Sequence, residues 1–139
     1  MFNKTLIIGP IIIAGLWTAE VAVQSAVAAA QSASSVVSRA DQDKDGTLDL
    51  AEVKTAASAK FDKVNKDADG TLDATEVKGL IGAKRFKAAD PDNDGTLTKD
   101  EYLALVEKLF NKADIDHDGT LSVQELKSKS AHALKRLID

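Results

Sequence analysis

Asp41, Asp43 and Asp45 stand at alternate positions and are followed by Gly46, Thr47, Asp49 and Glu52. Carboxylates at that spacing repel one another, and they suit one task above others, which is to wrap oxygen ligands round a hard cation. Counted from Asp41, the loop has 12 residues. The three aspartates offer side-chain oxygens. Gly46, sixth, takes a sharp turn that a side chain would hinder. Thr47 offers its backbone carbonyl, Asp49 a ligand directly or through a water, and Glu52 can close the shell with both oxygens. Leu48, eighth, points away from the ion toward a paired loop or the core.

The same frame returns three times. Loop two presents Asn65, Asp67, Asp69, Thr71, Asp73 and Glu76, with an amide in place of the first carboxylate. Loop three presents Asp90, Asp92, Asp94, Thr96, Thr98 and Glu101; loop four presents Asp114, Asp116, Asp118, Thr120, Ser122 and Glu125. At the ninth position the hydroxyls of Thr98 and Ser122 act through a water. These are EF-hand loops. All their ligands are oxygen, which disfavours soft transition metals, and magnesium prefers fewer ligands in tight octahedral geometry. The expectation is up to four ions, lanthanide(III) or Ca2+. Attraction to the ligands grows with ion charge times ligand charge, while dehydration grows roughly as ion charge squared. More carboxylates therefore favour the trivalent ion. Loop one, with Asp41, Asp43, Asp45, Asp49 and Glu52, is the best lanthanide site on this argument. His117 and His132 read as surface residues rather than ligands.

The elements that must position these loops are short. The loops begin at 41, 65, 90 and 114, and 12, 13 and 12 residues separate them. Twelve helical residues span only ~18 Å, so a single helix must leave each loop and enter the next. The fold class expected is all-α: a small three-helix-type bundle with four EF-hand metal loops joined by single shared helices. Val37, Phe61, Phe86 and Phe110 precede the loops, and Val53, Val77, Tyr102 and Leu126 follow them. These positions should form the core. A short entering helix is expected before loop one, and an apolar stripe of Ala131, Leu134, Leu137 and Ile138 in a tail running Leu126 to Ile138. Gly79 and Gly82 weaken the second shared helix.

Charge is divided in the same way. Of 22 acidic residues, 18 lie in the loops against three lysines, a net −15. Each close pair of carboxylates costs ~1 kcal/mol even at the dielectric of water, so folding should be coupled to metal binding. The loop-free remainder after residue 30 carries 14 Lys or Arg and three acids, read as solvated helix faces. Residues 1–30 are of another kind. Lys4 precedes an apolar run from Leu6 to Trp17, then small residues with Ala26-Val27-Ala28 and Ala28-Ala29-Ala30. That is the pattern of a secretory signal peptide, leaving a domain at 31–139 that is periplasmic or secreted, with no stable membrane insertion after cleavage. The chain has no cysteine, so a thiolate metal site is excluded. Nucleic acid is an unsuitable partner for an exported acidic chain.

Residues 41–139 resemble lanmodulin, a periplasmic lanthanide-binding family of methylotrophic bacteria. The resemblance rests on the 12- or 13-residue spacing, on Phe61-Asp-Lys, Asp69-Gly-Thr-Leu-Asp-Ala, Asp90-Pro-Asp-Asn-Asp-Gly-Thr-Leu-Thr and Glu101-Tyr-Leu-Ala. It implies a three-helix bundle, selectivity for lanthanides over calcium, a metal-induced disorder-to-order change, and a part in handling metal for lanthanide-dependent alcohol dehydrogenases. The family has proline at the second loop position. Here only Pro91 matches, with Gln42, Lys66 and Ile115 elsewhere, and Thr98 and Ser122 stand where the family usually has aspartate. The alternatives are a periplasmic calcium buffer or sensor without lanthanide selectivity, a calcium-triggered interaction module, and an enzyme. The module wants a Met-rich groove, and Met1 is the only methionine. For an enzyme there is no plausible nucleophile setting and no phosphate-cradling loop, and the carboxylates are already assigned to ion shells.

Overall fold

The computed structural model describes residues 17–139. The described residues open with helix α1 (Trp17–Ala40). This is far longer than the short entering helix expected, because the alanine-rich stretch before Gln31 is strongly helix-forming and holds no breaker. Of the expected leader, residues 1–16 lie outside the described residues, and residues 17–30 continue into α1. No described helix is long and apolar enough to cross a membrane. The last turns of α1 bury Ala33, Val36, Val37 and Ala40.

Strand β1 (Leu48–Asp49) lies in loop one, and α2 (Leu50–Val64) then runs from loop one to loop two as one helix. Strand β2 (Thr71–Asp73) follows, then α3 (Ala83–Ala89), β3 (Thr96–Thr98) and α4 (Lys99–Ala113). Helix α4 again joins two loops without a break. Strand β4 (Thr120–Leu121), α5 (Val123–Leu126) and α6 (His132–Ile138) complete the chain.

Two expectations are corrected here. Residues 77–89 do not form one helix: the chain runs in turns from 74 to 80, and α3 starts after Gly82. Gly79 has φ +87°, a left-handed conformation that ends any helix. The tail is broken too, at 127–131, where the Ser128 and Ser130 hydroxyls bond each other at 2.7 Å.

The first break has a tertiary cause. β2 pairs antiparallel with β3, Leu72 opposite Leu97, and β1 pairs antiparallel with β4, Leu48 opposite Leu121. An unbroken helix holds its two loops at opposite ends, as α2 and α4 do. Loops two and three meet, so the chain between them has to double back.

Helices α2 and α4 lie antiparallel. Lys54 pairs with Glu107 at 2.7 Å near one end and Asp62 with Lys99 at 2.8 Å near the other. The side chains of Leu48, Leu72, Leu97 and Leu121 are fully buried. Of the eight loop-flanking positions named from the sequence, seven are buried and Phe86 is only partly so. Phe61 and Tyr102 meet edge to face with centroids 5.5 Å apart. The Tyr102 hydroxyl donates to the Leu137 carbonyl at 2.9 Å, which ties α6 to the α2–α4 pair. Burial raises the Tyr102 phenol pKa far above its ordinary value.

Candidate metal centres

Each loop is assembled by the same local devices. The fourth position, occupied by Lys44, Ala68, Asn93 and His117, has φ between 57 and 63°. The sixth, always glycine, has φ between 86 and 92°. A Cβ at those glycines would meet nothing within 4 Å, so backbone conformation, not crowding, demands glycine. At the fifth position Asp45, Asp69, Asp94 and Asp118 accept from both the amide and the hydroxyl of the threonine two residues on, at 2.7 to 3.0 Å. For Asp45 these bonds, that of the Thr47 hydroxyl first, hold the carboxyl below its usual range.

The third position shows the repulsion expected from the charge. Asp43 accepts a bond from the Asp45 amide, which lowers its pKa. Desolvation, the charges of Asp45 and Glu52, and the Asp41 side chain outweigh this and raise it. Asp92 is raised in the same way: the Asp94 amide lowers it, but desolvation, the Asp90 side chain and the charges of Asp94 and Glu101 prevail.

The ninth and twelfth positions act together. Asp49, Thr98 and Ser122 cap α2, α4 and α5, each accepting from the amide of the glutamate three residues later, while that glutamate's carboxylate reaches back to the capping residue's amide. Asp73 and Glu76 exchange the same two bonds at 2.8 and 3.2 Å, although turns follow rather than a helix. In loops one, two and four the glutamate's other oxygen accepts the second-position amide, of Gln42, Lys66 and Ile115, at 2.6 to 2.8 Å. Pro91 has no amide hydrogen, so Glu101 has no such second anchor in loop three. Burial opposes ionisation of Glu125, but bonds from Ser122, Ile115 and Asp116 hold its pKa below the ordinary glutamate value. Three of the ninth-position side chains named as ligands, Asp49, Thr98 and Ser122, thus also start helices. The pattern Ser/Thr/Asp-x-x-Glu before an apolar run could have shown this from sequence.

The first position carries the clearest sign of a missing partner. In loop one both Asp41 oxygens accept amides, from Lys44 at 2.6 Å and Gly46 at 3.0 Å. In the other loops one oxygen is buried with no hydrogen-bond partner: Asn65 Oδ1, Asp90 Oδ1 and Asp114 Oδ1. Burying such an atom unanswered costs about 1–3 kcal/mol, which a hard cation beside it would offset. Around these atoms Asp90, Asp92 and Asp94, and likewise Asp114, Asp116 and Asp118, bring carboxylate oxygens within 4.8 Å of one another; Asp41, Asp43 and Asp45 do the same in loop one. Loop two contributes only Asp67 and Asp69 beside the Asn65 amide. The threonines expected to offer carbonyls, Thr47, Thr71, Thr96 and Thr120, lie in or beside the short strands. This all-oxygen set fits a calcium-type ion.

A family model describing an EF-hand domain pair matches residues 54–130, more than half of the chain. The protein belongs to that family and is an EF-hand metal-binding protein. The matched span takes in loops two, three and four and leaves loop one outside. No curated protein matches the chain.

Proposed function

We propose that the protein is an exported binder of hard multivalent cations. It takes up to four ions, prefers lanthanide(III) to Ca2+, and gains its fold with the ions; it is not an enzyme. The observation that carries this reading is the buried, partnerless first-position oxygen in three loops, set among carboxylates that repel one another without a cation. The ligand shells are Asp41, Asp43, Asp45, Thr47, Asp49 and Glu52 in loop one and the corresponding residues of the other loops. Loop one, with five carboxylates, is the site for a trivalent ion. Removal of residues 1–30 at the small-residue motif delivers the domain to the periplasm or beyond.

The test is a chelator-buffered titration with lanthanum and with calcium, followed by circular dichroism. Helix gained at far lower free lanthanum than free calcium supports the reading. Equal responses reduce the protein to a calcium buffer. That second reading has its own support. The hydroxyls of Thr98 and Ser122 bond the glutamates at 2.8 and 2.9 Å, so loops three and four keep four ligand carboxylates, an ordinary calcium number. Mass measurement of the protein recovered from the periplasmic fraction tests export. Absence from that fraction refutes export, and a chain there that still begins at Met1 refutes cleavage.

A further inference from the structure

Most acids of this protein sit in loops at the helix ends, and many of its bases lie along the waist, where α1, α2 and α6 leave a groove. Two adjoining hollows of about 270 and 380 Å3 share Val36, Lys60 and Asp139. Arg39, Lys60, Lys63, Lys135 and Arg136 line them, with Val36 and Leu80 as apolar floor. One carboxylate residue stands among these cations, and its position shows what the groove holds. The Asp139 side chain meets the Arg39 guanidinium at 2.5 Å, its backbone oxygen accepts from the Lys60 ammonium, and the Ile138 side chain next to it is buried. An aliphatic residue followed by an acid is therefore already seated there, held by two cations while the others lack an acid of the lining to meet.

We propose that this groove docks an acidic peptide segment of a partner protein, one that carries aliphatic–acid pairs, and that Ile138–Asp139 competes with it for the same cations. The apolar floor favours a peptide over an inorganic anion or nucleic acid, neither of which would use it. A lipid surface is disfavoured because the large hydrophobic side chains exposed among the described residues, Val27 and Ile115, do not line the groove. The inference does not depend on which ion the loops take.

The test is fluorescence anisotropy with the calcium-saturated full chain and a labelled peptide of alternating Ile-Asp and Leu-Glu pairs. Its controls are a peptide with serine in place of each aliphatic residue, and vesicles of phosphatidylglycerol. The aliphatic–acidic peptide should bind, more weakly as salt rises. Lys60→Glu and Arg136→Glu should each weaken it about tenfold, and Asp139→Asn should strengthen it about threefold. A gain in Asp139→Asn cannot come from loss of fold, and circular dichroism checks the charge reversals. Equal binding of the serine peptide, tighter binding to the vesicles, or indifference to the charge reversals overturns the proposal.

Discussion

Loops one and four form one end of the molecule and loops two and three the other, and the same loop frame is supported differently at each. At the first end Glu52 and Glu125 are each 8% exposed, and α1, β1 and β4 press the loops onto the core. At the second end Glu76 and Glu101 are only partly buried, loop two exits into turns, and α3 buries no residue at all. The ladder there is longer, three residue pairs against two. Pairing between strands holds the second end; packing against helices holds the first. Near-identical loops can thus differ in strength because of what lies behind them.

The largest effect should come from the leucines of the two ladders. Leu121→Ala opens a cavity at the packed end and should cost ~2–5 kcal/mol; Leu72→Ala should fall at the lower end of that range, because its surroundings can collapse. Urea denaturation in the presence of calcium measures both, and equal losses break the comparison. Next come the glutamates. Glu125 accepts from the amides of Ile115 and Ser122 and from the Ser122 hydroxyl. Glu125→Gln should cost the calcium-loaded protein about 1–3 kcal/mol through these bonds, and the more exposed Glu76→Gln less. The same denaturation in calcium reads the difference.

Asn65→Asp would give loop two the acidic trio that the other loops possess, and should tighten the second end for lanthanum by about tenfold, since affinity follows ligand charge. Competition titration against a metallochromic chelator measures it, and no change removes the charge argument. Smaller still is Ala68→Gly. Ala68 is held at φ 58°, where an L side chain costs ~1 kcal/mol. Glycine should raise stability by about that amount, read as a shift in melting temperature of the calcium-loaded protein.

Acid should separate the groups with the least effect. Glu125 has a lowered pKa, so its contribution is present above the unfolded value and lost as pH falls through the folded one. Asp43 and Asp92 have raised values, so their mutual repulsion with neighbouring carboxylates is relieved first, at a pH above the ordinary aspartate value. As the protein is acidified, these two aspartates should therefore titrate above the ordinary aspartate value and Glu125 below the ordinary glutamate value. Calcium affinity should weaken over the same first step, because protons then compete with the ion. Carboxyl chemical shifts followed by NMR titration check both directions.

Most of the site could be read along the chain. The alternation of Asp41, Asp43 and Asp45, the glycine that follows and the glutamate at the end are local, and so is the chemistry they permit. The paired leucines at the eighth position and the flanking Phe61, Tyr102 and Phe110 announced themselves by regular spacing. The double duty of Asp49, Thr98 and Ser122 as helix caps was legible too, from the glutamate three residues on, but the metal reading hid it. The strain at Ala68 was not, since nothing in an alanine signals a left-handed backbone.

What the residues determined alone is therefore the set of loops, their acidity and the buried stripe behind them, because each depends on neighbours within a dozen positions. Which loops meet was decided only by the folded chain. Continuous α2 and α4 force consecutive loops apart, so partners come from the other end of the sequence or across the bend at Gly79. A glycine-weakened helix and a bend followed by a shorter helix are both open to the stretch 77–89; burying Leu72 against Leu97 chose the bend. The groove at Arg39, Lys60 and Arg136 likewise exists only because three helices distant in sequence are brought side by side.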